Sequence, residues 1–335
     1  MTLTVVPFEE DHLTAAAGLL AARHARDRAR EASLPGAFES PDAVRPSVEQ
    51  LFRQQGAAGV LARRDGNAAG FLLAGPMLPA PRHFLAQFFP PRSMVIPYHG
   101  HALAPGEDPS LYRNLYAALA EVFVRRGFFD HFVNVPALDS SAREAWDSLG
   151  FARDATCAVR DVEQPVTGAG PVDVHQAGPE DIAVVSAMAE ALGQHHVGSP
   201  IFSPYLREAN EASRDAALER LQEPANAHFV AYRDGRPMGM NTFMPPAFLS
   251  LLLAPEASVY LLEGFVYSQF RGGGVGRALL ARSMAWAREQ GYRWCALHFA
   301  APNISGASFW LGSGFRPAEY RLRRHIDERI AWANE

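Results

Sequence analysis

The chain repeats itself, and the repeat limits it to two copies of one small pattern of strands and helices. In the second half His298-Phe299 is followed by Trp310 and then Gly314-Phe315; in the first half His131-Phe132 is followed by Trp146 and then Gly150-Phe151. The pattern Trp-x-x-x-Gly-Phe thus recurs at one internal spacing. Earlier in each half lies a hairpin signal: strand-like runs 59–63 and 69–74 flank Asp65-Gly66, and runs 229–233 and 238–241 flank Asp234-Gly235. Each half then offers a helix (111–126 and 275–290) and a strand (128–135 and 293–299). Several features shared in one order favour duplication over coincidence. The stretch 163–171, Glu-Gln-Pro-Val-Thr-Gly-Ala-Gly-Pro, has linker chemistry and divides the chain into 1–164 and 172–335. A length of 335 residues suits two domains.

The second half carries a run that the first lacks: Arg271-Gly272-Gly273-Gly274-Val275-Gly276. It sits where the strand-like 260–266 turns into the helix 275–290. Glycines there let a ligand approach the backbone, because no Cβ intervenes. The N–H groups of the first helical turn are unpartnered and carry partial positive charge. The combination is a cradle for phosphate. A nucleotide P-loop would need a lysine after the glycines, and the chain contains no lysine at all. A dinucleotide turn, G-x-G-x-x-G, would need a third glycine at position 277, which is Arg. The pattern R-x-x-G-x-G does fit, through Arg271, Gly274 and Gly276. In this the segment resembles the acyl-CoA pyrophosphate loop of the GNAT family of N-acetyltransferases.

The flanks carry the resemblance further. The family closes with N-x-x-A-x-x-x-Y-x-x-x-G-F; this chain has Asn303, Gly306, Trp310, Gly314 and Phe315 at that spacing. The likeness is close over 230–325 and looser over 172–230. It implies two tandem domains, each a mixed, mostly antiparallel sheet flanked by helices (α/β, in the α+β sense). It also implies acetyl-CoA as co-substrate. The pyrophosphate would meet Arg271, Gly272, Gly273, Gly274, Val275, Gly276 and Arg277. The pantetheine arm would add to the open edge of strand 260–266 through the backbone of Phe265 and Val266, with a side-chain contact from Asn303. An N-cap is the structural alternative for Asn303.

Acetyl transfer by direct attack on the thioester needs positioning and a base for the amine. Glu263, three residues before Val266 and at a position often acidic in the family, is the first candidate base. Its plainer role is to order the acceptor or pair with an arginine. His298, on the adjoining strand, is the second, with a satisfied half-buried histidine as the alternative. Trp310 stands where the family commonly has an acid tyrosine. Indole cannot give a proton to a thiolate at neutral pH, so Trp310 is expected to pack against the pantetheine arm, with Tyr267 or Tyr320 as substitute acids. In the first half the cradle's counterpart reads Leu103-Ala104-Pro105-Gly106-Glu107-Asp108-Pro109-Ser110. Its prolines remove donors and its acids repel phosphate, so that copy is expected to keep the fold and to bind acyl-CoA weakly or not at all.

The expected function is therefore transfer of acetyl to the primary amine of a small molecule or peptide by the C-terminal domain. A mycothiol-synthase-like acetyltransferase and a non-catalytic acyl-CoA sensor are the rivals. A formal charge of −5 argues against nucleic acid as a partner. No run approaches about 18 apolar residues, so no membrane partner is expected. The first ten residues lack signal-peptide chemistry, and only two cysteines, Cys157 and Cys295, occur, which suits the cytoplasm. His195-His196 lacks the companions a metal needs, so none is expected. The protein is expected to be a monomer or a homodimer.

Overall fold

A computed structural model describes residues 2–246 and 249–333. The first half runs β1 (Leu3–Pro7), α1 (Leu13–Arg28), α2 (Pro41–Phe52), β2 (Ala58–Arg64), β3 (Asn67–Met77), β4 (Ser93–Ile96), β5 (His101–Leu103), α3 (Leu111–Arg125), β6 (Asp130–Pro136), α4 (Ser140–Asp147) and β7 (Ala152–Asp161). The second runs β8 (Asp173–Gln176), α5 (Ile182–Val197), α6 (Arg207–Asp215), α7 (Ala217–Gln222), β9 (Ala227–Arg233), β10 (Arg236–Met244), β11 (Ser258–Val266), α8 (Val275–Glu289), β12 (Trp294–Ala300), α9 (Ile304–Gly312) and β13 (Arg316–His325). Both hairpins turn as their Asp-Gly pairs require, with φ of 49° and 87° at Asp65 and Gly66 and 51° and 72° at Asp234 and Gly235. The sheet is mixed and mostly antiparallel, with helices on both faces.

The two halves exchange their last strands. The sheet order is β1-β2-β3-β4-β6-β13-β7-β12-β11-β10-β9-β8, with β5 paired to β3. β13, from the second half, therefore lies beside β6 of the first, and β7, from the first, lies beside β12 of the second. β7 and β13 pair antiparallel between them. One continuous sheet results, so no free edge remains where the halves meet.

Charge holds this seam. Arg321 Nε donates to Asp154 at 2.6 Å, Arg323 Nη2 to Asp130 at 2.7 Å, and Arg316 Nη2 reaches Glu31 at 3.2 Å. The basic run 321–325 looks like a solvated strand end in sequence. It belongs to a central strand, and Arg321 and Arg323 pair with acids of the first half while Arg324 lies over the Tyr116 ring.

Long loops then cross the seam in both directions. Leu252 and Leu253, between β10 and β11, are buried in the cluster built from α1 and α2. Arg82, between β3 and β4, reaches Asp215 at the end of α6 at 3.2 Å. Each half otherwise has a core of its own. α3 and α4 pack Leu115, Leu119, Phe123 and Trp146 onto the first half of the sheet, and α8 packs Val275, Leu279, Leu280 and Met284 onto the second.

Candidate active site

β11 and β12 run parallel and stay paired only from Ser258↔Trp294 to Leu261↔Leu297. Beyond that point residues 262–266 and 298–300 diverge. The bulge that shifts β11 against β10 next to Thr242 lies at the same place. Residues of a strand present their backbone groups alternately to its two sides. The Phe265 carbonyl lies toward β10, where a Cβ on Gly239 would stand 2.5 Å from it. Val266 faces the open edge, and there its carbonyl accepts from Arg271 Nε at 3.0 Å.

The helix that follows points its start at this opening. Gly274 is the N-cap of α8 with φ 78°, and Gly272 has φ 81°. These are left-handed conformations that glycine adopts without strain. No side chain caps α8, so the donors of its first turn have no intrahelical partner and no cap. Gly272 and Gly273 are exposed. Gly276 admits close packing: a Cβ there would stand 3.1 Å from the Phe309 ring of α9.

The near wall of the opening is aromatic. Trp310 is mostly buried and lies edge-on to Phe315 and Phe309, with ring centroids at 5.6 and 4.8 Å. A Cβ on Gly264 would meet its indole at 2.7 Å, so the ring seats directly on the β11 backbone. Asn303 caps α9, its Oδ1 accepting from Gly306 N–H at 2.9 Å. Tyr320 packs with the first half's core and lies under Arg153, 3.8 Å from its ring, away from the opening. Tyr267 packs against Phe265 beside α5.

On the opposite face of the sheet stand the titratable groups. Glu263 pairs in register with Thr242. Burial pushes its carboxyl above the usual carboxylate range, opposed by the charge of Arg220 and a hydrogen bond with Thr242. The Thr242 hydroxyl is 3.2 Å from His228 Nδ1, and His228 Nε2 donates to the Arg220 carbonyl at 3.2 Å. His298 is 2.9 Å from the Tyr260 hydroxyl. Burial, with Arg321 nearby, pulls its pKa down to about 3, so it is neutral across the physiological range. Thr242 and His228 carry no motif and were not visible as site residues. Only the cross-strand register, which sequence does not state, brings them to Glu263.

The first half's counterpart of the opening is closed. β4 and β5 are separated by a turn over Tyr98–Gly100, and Arg23 of α1 fills the space behind it. Its Nη1 donates to the His101 carbonyl at 2.5 Å and its Nη2 to the Tyr98 carbonyl at 2.7 Å. Asp27 pairs with Arg23 at 3.4 Å and accepts from the Tyr98 hydroxyl at 2.8 Å. His101 Nε2 donates to the Asn134 carbonyl of β6 at 2.8 Å, bridging the gap. Where phosphate would lie, Glu107 takes both Nε and Nη2 of Arg64, at 3.0 and 2.9 Å.

Comparison with known proteins agrees with this geometry. Residues 196–315 match the acetyltransferase (GNAT) family. No curated protein sequence matches the chain. Among solved structures it is similar to a GCN5-related N-acetyltransferase from Sphaerobacter thermophilus, at 16% identity and TM-score 0.58 over 97% of this chain and 96% of that one. It is also similar to a tandem GNAT protein from the clavulanic acid biosynthesis pathway, at 17% identity and TM-score 0.50 over 97% and 98%. A third is the glucosamine N-acetyltransferase region of a fungal multi-domain β-N-acetylglucosaminidase, at 14% identity and TM-score 0.55 over 96% and 38%. At such identities the likeness concerns the fold. The strand opening, the glycine turn and the family match together identify residues 196–315 as a GNAT acetyltransferase domain, set in a chain that has the fold of a tandem GNAT protein.

Proposed function

We propose that the C-terminal half transfers an acetyl group from acetyl-CoA to the primary amine of a small molecule or peptide by direct attack. One observation carries this reading: the uncapped start of α8 stands at the mouth of the gap between β11 and β12. Residues 271–277 would hold the pyrophosphate by backbone donors and arginine charge. The open edge of β11 at Val266 would take the pantetheine amides, with Arg271 giving way at the Val266 carbonyl. Trp310 and the donor half of the Asn303 amide would line the arm.

Glu263 is the proposed base. Its raised pKa brings it nearer the pH at which an amine must be deprotonated, and Thr242 beside it steadies the carboxyl. His298 is held neutral against Tyr260, and in this reading it orders the acceptor side. No cysteine takes the acyl group: burial raises both thiols, which suits free cysteines kept in a reducing cytoplasm.

Trp310 in place of an acid favours a second reading, an acyl-CoA-binding sensor without turnover. Thiol release across a panel of amines separates the two.

The test of cofactor binding is calorimetric titration with acetyl-CoA beside Gly273→Glu. A Cβ at Gly273 would meet nothing closer than the Phe270 carbonyl at 3.8 Å, so the variant folds while placing a carboxylate in the cradle. One site per chain, lost in Gly273→Glu, supports the reading. No heat with the wild type sinks it.

A further inference from the structure

Residues 163–171 have the composition of a tether, yet they are laid along the second half at close range. Arg160, wholly buried on β7, holds the near end: its Nη2 donates to the carbonyls of Gln164 and, at 3.2 Å, Pro165. Val166 and Val172 pack against the core under α8. The Gln164 side chain covers Gly314, where a Cβ would stand 2.5 Å from its Oε1.

The far end meets the glycine loop backbone to backbone. The Gly170 N–H donates to the Gly274 carbonyl at 3.1 Å. A Cβ on Gly170 would lie 2.2 Å from the Gly273 carbonyl oxygen, and one on Gly274 would lie 2.4 Å from the Gly170 nitrogen. A Cβ on Gly168 would lie 2.5 Å from Arg277 Nη1. Three positions of the proposed pyrophosphate site (Gly273, Gly274 and Arg277) are thus each in contact with the strap.

We infer that the strap positions the acyl-CoA loop through Gly168 and Gly170, with Gly170 as the positioning residue; the inference rests on the acyl-CoA reading above. The Gly274 carbonyl already accepts from the Ala278 N–H at 3.0 Å inside α8. Gly170 adds a second donor from outside the helix and fixes the peptide plane that links the left-handed turn to the first helical turn. Donors aimed in advance bind an anion with less reordering than donors that must be gathered. The strap begins at the end of β7, the strand the first half lends to the second. The first half therefore reaches the cofactor loop through one short piece of chain without contacting the cofactor itself.

The test is Gly170→Ala in the full chain, titrated with acetyl-CoA beside Ala169→Ser, whose side chain is exposed. Gly170 has no left-handed backbone to strain, so the added methyl acts through the Gly273 carbonyl. The expected result is a dissociation constant about tenfold higher with binding stoichiometry unchanged, and Ala169→Ser as wild type. A merely structural role would lower the unfolding temperature and the stoichiometry and leave the constant alone. Equal constants in the two variants overturn the inference while leaving acyl-CoA binding intact. Should Gly170→Ala fail to fold, hydrogen exchange on the wild type decides. Slowing of peptide 165–171 together with 270–280 on adding acetyl-CoA supports the inference; slowing of 270–280 alone overturns it. A wild type that binds no acetyl-CoA removes the reading beneath both.

Discussion

Asn134 Nδ2 donates to Glu319 Oε1 at 2.8 Å, across the line where β6 of the first half meets β13 of the second. The other carboxyl oxygen of Glu319 is buried and has no partner among the described residues. Burial raises this carboxyl from 4.5 to about 7, with Asn134 and the charge of Arg321 pulling the other way. Between those values the folded protein holds a proton that the unfolded chain has released. Stability must then fall as pH rises through this window, and the loss is complete above about 7. Glu319→Gln removes the titration. Its unfolding free energy should exceed the wild type's by roughly 1–3 kcal/mol at pH 8, and the gain should vanish near pH 5. Denaturant melts at the two pH values check this; a gain independent of pH would show that Glu319 is not the source.

Glu263→Gln should lower kcat by about 100-fold once an acceptor is known, with the acetyl-CoA dissociation constant unchanged. In the wild type kcat should rise with pH as Glu263 loses its proton, above the ordinary carboxylate range because burial raises its pKa. The variant should lack that limb. A pH–rate profile that keeps it assigns the base elsewhere.

The strand exchange makes a direct demand on fragments. Residues 172–335 alone lack β7, which leaves β12 and β13 with unpaired backbone. We expect this fragment to aggregate when expressed alone and to be soluble when co-expressed with 1–171. Size-exclusion chromatography of the co-expressed pair should show one particle of the full chain's mass. A well-folded, monomeric 172–335 would contradict this.

Gly264 and Trp310 should be coupled. A methyl at Gly264 has the indole 2.7 Å away, so Gly264→Ala should destabilise the wild type by about 1–3 kcal/mol. In a Trp310→Ala background the same change should cost under about 0.5 kcal/mol. A double-mutant cycle of unfolding energies reads the difference; additive effects would mean the two do not touch.

The sequence makes the parts of this molecule legible better than their arrangement. The Asp-Gly hairpins, the Gly-rich start of α8 and the Asn303 cap are local, and each is visible in a few adjacent letters. The gap between β11 and β12 was reachable only through family resemblance, because it depends on where pairing stops after Leu261↔Leu297. The exchange of β7 and β13 leaves no local trace, since a strand carries the same alternation whichever sheet receives it. Arg321 and Arg323 therefore read as surface charge until Asp154 and Asp130 are found opposite them. The same limit hid Thr242 and His228, and it hid Arg23, whose buried partners Tyr98 and His101 lie far along the chain.

The traded strands also bear on why the first half persists. Where the second half has its glycine turn and its gap, the first has Glu107 paired with Arg64 and the buried Arg23. Its final strand is another matter. Because β7 forms part of the sheet beside β12, a lesion there is a lesion in the second half's sheet. The first half thus acts as a lender of material, and the strand it has lent ties its own sequence to the second half's sheet.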